Sequence, residues 1–260
     1  MRTSSVVGIA SGVALLALTG CGGGPSPDAS PDPVAEARQA MVGGNLVTDG
    51  NSGIVGLLYN DRICSGALLT NSHVITAGHC VPSGFVFTHG AYFVGMGGNF
   101  TFATAAIVNT QRDLAILKLE QPLPMRTSNG SLSTTGYSRP LDTRNTQQLD
   151  GQYLMCVGYG HATLAGDQQD WGLQKAGIFK HIRSTTNALD PYLMYLHSDN
   201  GAAVAPGDSG GPCLNNIPPA TSALASVIYA TGPLVDKTYG VTTPIFDQTW
   251  WMFWSLVVLG

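Results

Sequence analysis

Apolar positions along this chain come in short runs broken by turn signals, and runs of that length read as strands. They fall at 54–59, 67–69, 73–75, 85–87, 92–94, 100–108 and 114–119, then at 153–158, 173–179, 192–196, 224–230 and 239–243. With 33 Gly and 15 Pro in 260 residues, turns are frequent enough to link strands of this length. The pattern predicts an all-β domain.

Ahead of residue 41 the pattern changes. Residues 1–20 read as an export signal, with Arg2 as the positive charge and a short apolar run from Val6 to Leu18. The ending Leu18-Thr19-Gly20-Cys21 resembles a bacterial lipobox, in which the signal is cut before the cysteine and Cys21 carries the lipid. An ordinary signal cut elsewhere, or a short membrane span, is the alternative; the run falls short of the roughly 20 apolar residues a span needs. Residues 21–40, rich in Gly, Pro, Ser and Asp, bury too little apolar surface to order themselves and are expected to be a flexible tether or propeptide. From 41 to 260 one catalytic unit is expected, since 44% hydrophobic and only 11% charged residues suffice for a substantial core. The formal net charge of -4, with no basic stripe, argues against a nucleic-acid partner. Cys21 aside, four cysteines remain, an even number in an exported chain, which favours two disulfides.

The chemistry concentrates at Gly207-Asp208-Ser209-Gly210-Gly211-Pro212, with Thr76-Ala77-Gly78-His79-Cys80 and Asp113-Leu114-Ala115-Ile116-Leu117 upstream. A serine hydroxyl is a poor nucleophile at neutral pH until a base takes its proton, and the imidazole of His79 titrates where that base must. Asp113 would fix the imidazole tautomer and stabilise the imidazolium. The N–H groups of Gly207 and Ser209 would form the oxyanion hole. Alone, a Gly-Asp-Ser-Gly is as readily a tight turn and an Asp-Leu-Ala-Ile-Leu a buried strand. Their conjunction points to a serine nucleophile. His73, His89, His161, His181 and His197 lack such context and form no metal-ligand pattern.

In the order His, Asp, Ser, these motifs resemble the chymotrypsin/trypsin-like serine proteases, here in a bacterial member with a lipoprotein-type signal. The likeness extends to Cys64-Ser65-Gly66-Ala67-Leu68-Leu69-Thr70, to Gly158-Tyr159-Gly160 and to Met41-Val42-Gly43-Gly44, and it covers roughly 41–260. It implies two packed antiparallel six-stranded β-barrels with a C-terminal helix, His79 and Asp113 on the first barrel, Ser209 on the second, and the site in the cleft between. It also implies a Cys64–Cys80 bridge. Cys156 and Cys213 are each displaced by two residues from the family's positions, in directions that keep two antiparallel strands in register, so they are expected to bridge each other. The terminal helix would carry Trp250, Phe253, Trp254 and Val257 on one face, packed on the second barrel; the alternative is an exposed apolar surface for a membrane or another chain.

Further expectations follow from the resemblance. Cleavage before Met41 would free an α-ammonium to pair with Asp208, so the chain is expected to be a zymogen, and the same cut would release it from the lipid. Ala203, followed by Val204, stands where trypsins carry the Asp that reads basic residues, so a preference for Arg or Lys is not expected. Thr231 beside Gly240 would narrow the pocket to small or medium apolar residues. Either Ser226 or Tyr229 would support Asp113. Neither a cofactor nor a metal is expected, and the partners are protein or peptide substrates met by a monomer. The rival reading is a non-catalytic binding module on the same scaffold.

Overall fold

The computed structural model describes residue 41 and residues 44–47, 50–127, 129–161, 173–182, 193–199, 201–215, 222–231 and 239–260. The export signal at 1–20, the tether at 21–40 and Cys21 lie outside the described residues.

Strands β2 (Ile54–Tyr59), β3 (Arg62–Thr70), β4 (His73–Ala77), β7 (Leu114–Leu119), β6 (Asn99–Asn109) and β5 (Phe93–Met96) pair antiparallel in that order, and β5 closes back on β2. A second set, β11 (Lys175–Ile182), β10 (Tyr153–Gly158), β13 (Pro212–Leu214), β14 (Leu224–Thr231), β15 (Tyr239–Pro244) and β12 (Met194–His197), closes in the same way through β11–β12 pairing. These are the two six-stranded barrels that the resemblance implies. A two-residue strand, β1 (Asn45–Leu46), adds to β11, and β8 (Met125–Arg126) pairs with β9 (Leu132–Ser133).

Closure explains why the apolar runs do not alternate cleanly with polar residues. In β7, Ala115 and Leu117 fill the first barrel with Val55, Leu68 and Val94, while Leu114 and Ile116 face the other way. There they meet Met155, Val157, Leu214 and Val227 of the second barrel, so both faces of the strand are buried. The second barrel encloses Leu154, Phe179, Leu196, Ile228 and the side chain of Met41.

Two expectations change. Residues 85–87 form no strand; Phe85 and Phe87 instead pack edge to face at 4.7 Å, with Phe85 4.5 Å from the Tyr59 ring, so the run is apolar because it caps the first barrel with aromatics. The terminal helix α1 (Thr249–Leu259) forms, but with the other face inward: Met252 and Ser255 are buried, Trp251, Leu256 and Leu259 pack on the inter-barrel core, and Trp250, Phe253, Trp254 and Val257 are exposed. Helical spacing groups residues onto a face but cannot orient it when both faces are apolar.

Candidate active site

His79 sits on a single 3₁₀ turn, Gly78–Cys80, directly after β4, and Asp113 stands at the entrance to β7, the strand paired with β4. Three hydrogen bonds tie them: Gly78 N–H to the Asp113 carbonyl at 2.8 Å, His79 N–H to Asp113 Oδ1 at 2.7 Å, and His79 Nδ1 to Asp113 Oδ2 at 2.7 Å. Asp113 adopts a left-handed backbone, φ 49°, an uncommon conformation for a non-glycine residue; here it aims both carboxylate oxygens at one histidine. The Cys64–Cys80 disulfide staples the turn to β3. The His79 side chain is 46% exposed and that of Asp113 20%.

Ser209 lies in the turn that leads into β13, between two glycines at positive φ, Gly207 at 92° and Gly210 at 84°. Gly210 must lack a side chain, because a Cβ would collide with Thr76 Oγ1 and the Ser65 carbonyl. The N–H groups of Asp208, Gly210 and Gly211 donate to the carbonyls of Ala205, Ile228 and Asp208. Those of Gly207 and Ser209 make no hydrogen bond to any described residue, and both residues line a cavity.

That cavity, about 340 Å³, is lined by His79, Gly207 and Ser209 together with Cys64, Tyr92, His161 and Pro206. Ser209 and His79 therefore line the same space, without a hydrogen bond between the Ser209 hydroxyl and the imidazole. Such contacts are often long before substrate is bound. A second cavity, about 650 Å³, flanks His79 on the side of Val81, Phe85, Phe87 and Val108. Although Cys64, His79 and Cys80 lie close together, both sulfurs are in the disulfide and offer no thiolate to a metal.

One side chain missed in the sequence locks the two barrels at this point. Ser65 N–H donates to the Ser209 carbonyl at 2.8 Å and Ser65 Oγ to the Gly207 carbonyl at 2.9 Å, while Tyr159 N–H donates to Ser65 Oγ at 2.8 Å. Thr76 Oγ1 holds the Ser65 carbonyl at 2.7 Å. The clue lay in Cys64-Ser65-Gly66, where a small polar residue sits inside an otherwise apolar strand.

The profile of the Trypsin family matches residues 41–252. The chain belongs to the trypsin family. Among its relatives, Serine protease SP24D of Anopheles gambiae is 25% identical over 193 residues, covering 68% of each chain. Serine protease 1 of Drosophila melanogaster is 24% identical over 207 residues, 72% of this chain and 75% of the relative. Glucanase inhibitor protein 4 of Phytophthora infestans is 23% identical over 206 residues, 68% of this chain and 73% of the relative.

Within this trypsin-family fold the other expected site residues fall as follows. Cys156 of β10 and Cys213 of β13 are direct register partners and form the second disulfide. Thr231 of β14 pairs with Gly240 of β15, and a Cβ on Gly240 would press against Val204, so Val204 and Gly240 abut beside the buried Ala203. Ser226 is buried, whereas the Tyr229 ring meets His79 edge-on with centroids 6.0 Å apart, so of the two it is Tyr229 that adjoins His79.

Asp208 is fully buried. Its Oδ1 accepts from Gly160 N–H and its Oδ2 from Ala205 N–H, both at 2.9 Å, and the Met41 N–H also donates to the carboxylate. Met41 and Asp208 are thus together. Burial pushes the Asp208 carboxyl up to about 7, against the pull of these N–H groups and of Lys175. Lys175, unremarked in the sequence, opens β11 with its side chain fully buried.

Proposed function

We propose that this chain is an exported serine endopeptidase in which Ser209 attacks, His79 transfers protons and Asp113 orients the imidazole. What supports this most is the shared cavity: a histidine held at Nδ1 by Asp113 at 2.7 Å lines the same space as Ser209 and Gly207, whose N–H groups make no hydrogen bond among the described residues. In the proposed reaction Ser209 Oγ bonds to the carbonyl carbon as its proton passes to His79 Nε2, and the resulting oxyanion accepts from the Gly207 and Ser209 N–H groups. Collapse breaks the C–N bond, and His79 returns the proton to the leaving amine. A water molecule, deprotonated by His79, then attacks the Ser209 ester, releasing the acid and the free hydroxyl.

Specificity belongs to the same proposal. Ala203 offers no charge for a basic residue, and the Val204–Gly240 contact with Thr231 in register alongside suits small or medium apolar residues before the scissile bond. The protease acts as a monomer on proteins or peptides. It is anchored by lipid at Cys21 until cleavage before Met41 separates the domain from the anchor and adds an α-ammonium beside Asp208. The two disulfides fit an oxidising compartment. A peptide-library digest should yield Ser209-dependent cleavage after Ala, Val or Leu; dominant cleavage after Arg or Lys would overturn the specificity. A relative named as a glucanase inhibitor favours, as second reading, a binding module on this scaffold. No Ser209-dependent cleavage by the folded chain would select it.

A further inference from the structure

Lys175 and Gly158 are direct antiparallel partners across β10 and β11. Side chains of such partners leave the sheet on the same face. The face at Gly158 is occupied: a Cβ there would collide with Asp208 Oδ1. Lys175 therefore projects from the very face against which the Asp208 carboxylate lies, with no exposure to solvent. A lysine is almost never buried completely unless a charge is paired with it.

We propose that Lys175 is a positioning residue that supplies Asp208 with a cation from within the fold, so that the uncut chain already holds the Ser209 turn in its working form. The inference rests on the serine peptidase reading and concerns its regulation. Asp208 lies between Gly207 and Ser209, whose N–H groups would form the oxyanion hole, so whatever fixes its carboxylate fixes them. If the α-ammonium at Met41 were the sole cation available, Asp208 in the uncut chain would be buried without a countercharge and the turn would be disfavoured. With Lys175 in place the uncut chain has one. Consistent with this, the ammonium draws the Asp208 carboxyl down against the upward push of burial. Cleavage before Met41 then serves mainly to release the domain, and only secondarily to switch it on.

The test compares the full chain, its integrity checked by intact mass, with the same chain cut before Met41 through a site-specific protease sequence placed at residues 37–40. Both are assayed for kcat, KM and the rate of fluorophosphonate labelling at Ser209. The uncut wild type should reach within about tenfold of the cut form, since its competent fraction is already substantial. In Lys175→Met the uncut chain should lose about 100-fold or more in kcat with a smaller change in KM, the scale of losing an oxyanion donor. Cutting before Met41 should restore it, because a new ammonium replaces the missing one, and a merely structural defect would not be so rescued. Should Lys175→Met fail to fold, Lys175→Met with Asp208→Asn, which buries no charge, should fold, and the uncut wild type still decides. An uncut wild type that is inert beside an active cut form overturns the inference while sparing the peptidase reading. So does a Lys175→Met chain as active uncut as the wild type. Inertness of both wild-type forms removes the peptidase reading and the inference together.

Discussion

Ser65 shows how much one small residue carries here. Its N–H and hydroxyl hold two carbonyls of the turn that bears Ser209, while the residue itself belongs to the other barrel. Ser65→Ala removes the hydroxyl and leaves the Gly207 carbonyl and Tyr159 N–H without that partner. The expected cost is about 1–3 kcal/mol of stability and a fall in kcat that exceeds the change in KM, read from urea melts and steady-state kinetics. His73 gives the acid limb of stability. Burial, then the nearby Lys118 ammonium, lowers its pKa from 6.5 to about 4, and its Nδ1 is within 2.8 Å of Thr70 Oγ1. The folded state thus favours the neutral ring. The resulting stability is complete above about 6.5 and is lost as pH falls from there towards about 4. Urea midpoints of the wild type should drop over this window more steeply than those of His73→Asn; equal slopes would remove His73 from the account. Burial lowers His181 in the same direction.

The elements differ in how far their residues announced them. Strands β2, β7 and β10 begin and end where the apolar runs do, because each crosses a barrel wall and is bounded by turn residues. β13 was missed: Pro212-Cys213-Leu214 is three residues long and takes its place from the Cys156 ladder and the turn before it. That ladder makes the second disulfide a strong staple. Replacing Cys156 and Cys213 together by Ala, which opens a loop spanning 57 residues, should cost about 4 kcal/mol, measured by denaturant melts under non-reducing conditions. In α1 the spacing found the helix and misjudged its face, since Trp and Val occur all round it. Met252→Ala should destabilise by about 2–5 kcal/mol, whereas Trp250→Gln, at a side chain 69% exposed, should change stability by less than about 0.5 kcal/mol. The reverse ranking would restore the face expected from the sequence.

Across the whole molecule, the site lies where loops of two closed barrels converge, and its legibility follows from that. Residues proposed to react must be of fixed chemical type, so His79, Asp113 and Ser209 stand out in the sequence even though 34 residues separate the first pair and far more the third. Residues that merely hold others, such as Ser65 and Lys175, are ordinary in type and become visible only through the contacts the barrels impose. Gly158 needs its missing side chain because Asp208 fills the space, a fact of packing that no local motif carries. The central claim is that the fold turns Ser209 into a nucleophile. Its most direct measurement is mass spectrometry of the folded chain after a fluorophosphonate reagent, beside Ser209→Ala and His79→Ala. A single adduct on Ser209, abolished in the first variant and greatly slowed in the second, is predicted. A folded wild type that takes no adduct, or labels as fast without His79, would contradict the account.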